Sequence, residues 1–187
     1  SPVLVNDKNT TLMHIDFSFD TLKLGGSAFA QSLGKVGSDV PTVKNPEYFR
    51  DAFLAVQDLV KEGLILAGHD ISAGGLITTL LEMTFANQKG GIEANLNDIA
   101  EKNPVKLLFA ENPGVVIQVK DADKKDIAKM LDNAGVGYVE IGKPIDEREV
   151  VVKKDGRTRR FDIDKLRDIW YSTSYRLDTK QSFNGMA

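Results

Sequence analysis

Eight residues, Gly68-His69-Asp70-Ile71-Ser72-Ala73-Gly74-Gly75, separate the apolar run Leu64-Ile65-Leu66-Ala67 from a stretch that is apolar on nearly every side, Leu76–Asn87. The pattern predicts a short strand, a polar turn and a buried helix, and the two apolar elements can hide their surfaces only in a shared core. The turn then falls beyond the strand's carboxyl end, at a helix N-terminus whose amides face outwards, which is where open α/β sheets take ligands. Asp70 offers a hard oxygen to Mg²⁺, Ser72 a hydroxyl to a phosphate oxygen, and Gly74 and Gly75 allow close approach of backbone. Spacing alone leaves a plainer reading open, in which Asp70 or Ser72 caps the helix and the glycines shape a tight turn.

The remaining pattern supports one compact unit over residues 1–187, without internal repeat or long linker. Leu12–Phe17 alternates like a strand, and Leu24-Gly25-Gly26-Ser27-Ala28 leads into a short helical run. Gly34–Lys44 reads as a loop. Asn45-Pro46-Glu47 is a helix start, and Phe49, Phe53, Val56 and Val60 form one apolar stripe behind it, ending at Gly63. After a strand over Ile92–Leu96 come a strand at Val115–Val119, a helix at Asp121–Ala134, a strand at Tyr138–Ile141 and a hairpin at Glu149–Phe161 turning on Asp155-Gly156. A final helix covers about Asp164–Leu177. The consecutive amides and hydroxyl of Gly25, Gly26 and Ser27 give a second candidate anion nest, evenly matched by a plain turn.

Composition removes several chemistries. With no cysteine there is no disulfide framework, thiolate metal site or cysteine nucleophile, and the composition suits the cytoplasm. Two histidines, His14 and His69, do not make a multi-histidine zinc site. A net charge of −3 supplies no field for nucleic acid or an anionic membrane, and no apolar run reaches the ~20 residues of a membrane span. The chain opens at Ser1 without methionine, as a piece of a longer polypeptide would.

His69-Asp70-Ile71-Ser72-Ala73-Gly74-Gly75-Leu76 resembles the His-Asp-x-Ser-Asp-Gly-Gly-Leu motif of the phosphoribosylformylglycinamidine synthase family. Leu24-Gly25-Gly26-Ser27, Leu80-Leu81-Glu82-Met83-Thr84-Phe85-Ala86 and Trp170-Tyr171-Ser172-Thr173-Ser174-Tyr175 resemble further family segments in the same order, so the likeness runs from about Thr11 to Arg176. It implies an α/β (α+β) fold, a three-layer sandwich with partial ferredoxin-like topology, like the C-terminal domain of aminoimidazole ribonucleotide synthetase. It further implies the second C-terminal half of a large single-chain enzyme, whose partners are an N-terminal half and a glutaminase domain. The implied reaction converts formylglycinamide ribonucleotide, glutamine, ATP and water into the amidine, glutamate, ADP and phosphate. By motif, Asp70 becomes a magnesium ligand and Ser72 a contact to ATP or ADP, in a cleft whose nucleotide serves a structural part in the family. Such a piece is inactive alone, and a non-catalytic nucleotide-binding or packing scaffold is the alternative. Two departures stand out: Ala73 replaces the usual aspartate, and the segment after Arg176 lacks the family's Arg-Asp-Asn-Pro ending.

Other polar residues have plainer roles. His69 reads as a hydrogen-bonded structural histidine rather than a general base. Asp16 and Ser18 read as strand-end polarity, and Glu111, at a family position near the cleft, as a cap or a solvated acid. Arg157, Arg159 and Arg160 with Lys153 and Lys154 read as a solvated sheet edge. Trp170, Tyr171 and Tyr175 read as core or interface packing.

Overall fold

The computed structural model describes residues 1–184; residues 185–187 lie outside the described residues, as do the side chains of Thr173 and of residues 181–184. In chain order the elements are β1 (Thr10–Asp16), α1 (Ala28–Ser32), α2 (Pro46–Lys61), β2 (Ile65–Asp70), α3 (Gly75–Phe85), β3 (Gly91–Asn95) and α4 (Pro104–Phe109). Then follow β4 (Gly114–Lys120), a 3-10 turn (Asp121–Asp123), α5 (Lys124–Asn133), β5 (Val139–Ile145), β6 (Glu149–Lys154), β7 (Arg157–Asp162) and α6 (Ile163–Asn184). The seven strands form one sheet in the order β2-β4-β1-β5-β3-β6-β7. Every pairing is antiparallel except β3 with β6.

Strand alternation builds a core on each face. Leu12, Ala67, Ile92 and Val116 pack with α3, α4 and the start of α6. Met13, Ile15, Ile117 and Val119 pack with α2 and α5. Helices thus cover both faces, which is the three-layer α/β arrangement expected. Asp155 and Gly156, at φ 49° and 72°, make the β6–β7 hairpin as a two-residue turn with positive φ at both positions.

Four expectations are corrected. The strand before the motif runs on through Gly68 and His69 to Asp70, and it is an edge strand whose neighbour β4 is antiparallel. The helix expected from Asp121 opens as a 3-10 turn and becomes α-helical at Lys124. On α2 the buried arc is Ala52, Ala55, Val56 and Leu59, while Phe53 and Val60 are half exposed. Two alanines give the sheet room to approach, so the bulky aromatic sits at the rim. Finally, the core half of the expectation for Trp170, Tyr171 and Tyr175 is corrected: on α6 they are mostly exposed and contribute to neither core, which leaves interface packing as their expected role.

Candidate functional site

The carboxyl ends of β1 and β2 and the amino end of β4 meet at one end of the sheet, since Asp16 pairs with Gly114 and Asp70 with Val115. The motif emerges there. His69 and Ile71 face the α3 side, and Asp70 faces the opposite side, beside Val56 and Val60 of α2. The Asp70 carboxylate is 71% exposed. Its Oδ1 lies 3.4 Å from His69 Nδ1. Its carbonyl oxygen accepts from the Thr79 hydroxyl at 3.0 Å and lies 2.8 Å from His69 Nδ1. The Thr79 contact holds the strand end against α3.

Ser72 is exposed, and its carbonyl accepts from Gly75 N–H at 3.0 Å, closing the turn. Among the described residues nothing meets the Ser72 hydroxyl or the amide N–H of Ser72 and Ala73. Gly74, at φ 92°, is the N-cap of α3 and no side chain caps that helix through it. Asp70 and Ser72 therefore do not cap the helix, which disposes of the plainer reading in its capping form.

Gly75 is needed for shape. Its φ is 71°, and a Cβ there would come within 2.7 Å of the Leu108 carbonyl oxygen and 2.8 Å of that of Ala110. The start of α3 thus lies backbone to backbone on the end of α4. Gly74 would press a Cβ to 2.2 Å from Thr78 Oγ1.

The Gly25-Gly26-Ser27 turn has the same residue types and a different state. Gly25 N–H donates to Asp39 O at 2.8 Å, Gly26 N–H to Val36 O at 2.6 Å, and Ser27 N–H to Leu24 O at 3.2 Å. Ser27 is buried, and its Oγ donates to Leu24 O and accepts from Ala30 N–H as the N-cap of α1. Three donors that would face an anion are already used by the chain itself. An Asp20–Lys23–Thr42 cluster secures this loop, with Lys23 Nζ and Thr42 Oγ1 donating to Asp20 Oδ2 at 2.6 and 2.7 Å. Those hydrogen bonds hold the Asp20 carboxyl well below the usual carboxylate range.

Glu111, between α4 and β4, joins the two turns. Its Oε1 accepts Gly74 N–H and Ala28 N–H, each at 2.8 Å. No local pattern in the sequence pairs it with amides 37 and 83 residues away. Glu82 of α3 was equally hidden: its Oε2 lies 3.3 Å from His69 Nε2, and its Oε1 accepts from Trp170 Nε1 at 3.0 Å. His69 thus sits between Glu82 of α3 and Asp70 at the end of β2. Asp16 accepts from the Ser18 hydroxyl and from the Ser18 and Phe19 amides, folding the strand end back on itself. Next to it lies a cavity of about 600 Å³ bounded by His14, Asp16, Ile71, Leu76, Asn112 and Val139. Burial pushes the His14 imidazole below its ordinary value, against the opposing charge of Asp16.

The donor set decides what cation suits this tip. Among the described residues no group of three or more His, Cys, Asp and Glu side chains could hold a metal. One exposed carboxylate fits Mg²⁺, which takes one or two protein carboxylates and completes its shell with water and phosphate oxygens. It does not fit a cation caged by this chain alone.

The family profile described as "AIR synthase related protein, C-terminal domain" matches residues 16–155. A probable phosphoribosylformylglycinamidine synthase, chloroplastic/mitochondrial, of Arabidopsis thaliana is 38% identical over 174 residues, covering 91% of this chain and 12% of that protein. The phosphoribosylformylglycinamidine synthase of Homo sapiens is 33% identical over 175 residues, covering 91% of this chain and 13% of its own length. The chain therefore spans about an eighth of the curated relatives it matches. Among solved structures, T. maritima PurL complexed with ATP superposes with a TM-score of 0.66 at 14% identity, over 88% of this chain and 27% of that one. The E. coli hydrogenase maturation protein HypE gives 0.57 at 20% identity, over 87% of this chain and 51% of its own. These structures share the fold.

Proposed function

The chain belongs to the family of AIR synthase related protein C-terminal domains, and on that premise we propose that it is one unit of a phosphoribosylformylglycinamidine synthase whose β2 tip meets a magnesium-bound nucleotide. The observation that carries this reading is the state of the tip: an exposed Asp70 carboxylate, a free Ser72 hydroxyl and two unspent amides, two residues before a buried helix. Asp70 would hold one side of the cation, and Ser72 with its own and the Ala73 amide would receive a phosphate oxygen. Mg²⁺, when bound, neutralises phosphate charge. Gly75 seats the turn on α4, and the Gly25-Gly26-Ser27 turn forms a wall tied to the motif through Glu111.

The activity proposed for the whole protein is the ATP- and glutamine-dependent amidation of formylglycinamide ribonucleotide. This chain contributes one face of a cleft, and the N-terminal half of the paired unit and a glutaminase domain supply the rest; a cysteine-free chain holds no thiolate for glutamine hydrolysis. Alone it is inactive, because one wall cannot hold two substrates in line. The exposed aromatic face of α6 favours a second contribution, packing against neighbouring domains. Among the described residues no helix is long and apolar enough to cross a membrane. Cytoplasmic placement rests on the cysteine-free composition, and cell fractionation tests it.

Calorimetry on the natural protein tests the reading. Mg-ADP binds, and Asp70→Asn or Ser72→Ala weakens it by about tenfold, the size of a hydrogen bond to a charged group. Unchanged affinity in both variants refutes the assignment.

A further inference from the structure

We infer that Glu111 is a positioning residue of the nucleotide site, the one carboxylate that bridges the α1 turn to the Asp70–Ser72 tip. The inference rests on the nucleotide reading above and assigns the arrangement of that site to a residue outside its motif.

One carboxylate oxygen of Glu111 takes two amides, Gly74 and Ala28, from segments far apart in sequence. Each is a charge-assisted bond at 2.8 Å. The Gly74 amide is the N-cap donor of α3, two residues past Ser72, and Gly74 has no other side-chain cap. The Ala28 amide opens α1, a five-residue helix with no buried residue of its own. At α1 itself two contacts reach toward the motif: Glu111, and the stack of Phe29 on Phe109 with ring centroids 4.7 Å apart. Both anchors come from the same stretch, the end of α4 and the link to β4, on which Gly75 is also seated. Glu111 fills the amides nearest the tip and leaves those of Ser72 and Ala73 open. It thereby decides which donors a phosphate can reach.

Geometry and charge make different demands. A glutamine at 111 keeps an oxygen that accepts both amides and removes a negative charge from the neighbourhood of an anionic ligand. An alanine removes the bridge, and an aspartate is one methylene too short to span both.

The test uses the natural protein with Mg-ADP as probe. Glu111→Ala and Glu111→Asp weaken Mg-ADP by about tenfold or more, the loss of one or two charge-assisted bonds, and speed hydrogen exchange at Gly74 and Ala28. Glu111→Gln binds Mg-ADP at least as tightly as the parent, with both amides protected. If Glu111→Ala exposes both amides yet binds Mg-ADP unchanged, the role is structural only and the inference falls while the nucleotide reading stands. If Glu111→Gln is as weak as alanine, charge rather than position matters and the inference also falls. If the parent does not bind Mg-ADP, both readings fall together.

Discussion

Two glycine turns at one end of the sheet carry nearly the same residue types, and the fold treats them differently. In Leu24–Ser27 each of the amides of Gly25, Gly26 and Ser27 ends on a carbonyl of its own neighbourhood, and the serine is a buried cap. In Asp70–Gly75 the glycines serve α4 and Glu111, while the acid is exposed and the Ser72 hydroxyl and two amides carry no hydrogen bond among the described residues. A glycine-serine turn is therefore not a ligand site by composition. What separates the two is whether nearby carbonyls can reach the donors, and that depends on the loop at 36–39, which returns over the first turn and has no counterpart at the second.

Substitutions sharpen the contrast. Gly75→Ala places a Cβ against three backbone atoms at a left-handed φ, so destabilisation of about 3 kcal/mol or more is expected in chemical denaturation. Gly25→Ala meets the Asp39 backbone at 2.6 Å, but that partner belongs to an exposed loop that can shift, so about 1–2 kcal/mol is expected. If Gly25→Ala proves the more damaging of the two, the distinction between a rigid and a yielding support fails.

Asp70→Asn changes binding and leaves the fold alone, because its carboxylate is exposed; the expected change in unfolding midpoint is within the scatter of surface substitutions, about 0.5 kcal/mol. Asp20 behaves oppositely. Its folded carboxyl titrates below the ordinary 3.8, so the stability it contributes is complete above that value and is lost as pH falls through and below it. Hydrogen exchange in residues 36–42 should quicken in acid before it does in 70–75, and Asp20→Asn should reproduce that loosening at neutral pH. Equal acid response in both turns would contradict the assignment of Asp20 as the first turn's clasp.

How far the sequence led follows the range of the interactions involved. The α2 start at Asn45-Pro46, the β6–β7 hairpin and the buried α3 were legible because caps, turns and periodicity are local. On α2 Phe49 and Val56 lie on the expected side, but Phe53 gives way to Ala52, since only the sheet opposite decides which of them fits. Asp70 and Ser72 were visible as a motif. The bridge of Glu111 and the link from His69 through Glu82 to Trp170 were not, since each joins residues that only the tertiary fold brings together. For the same reason the spent amides of the first turn could not be told from the free amides of the second.

Crystals of the natural protein grown with Mn²⁺ and ADP give the most direct test. The account predicts an anomalous manganese peak at direct ligand distance from an Asp70 carboxylate oxygen, with a phosphate oxygen on the Ser72–Ala73 amides and none on Gly25 or Gly26. A manganese peak away from Asp70, or a phosphate seated in the Gly25–Ser27 turn, would contradict it.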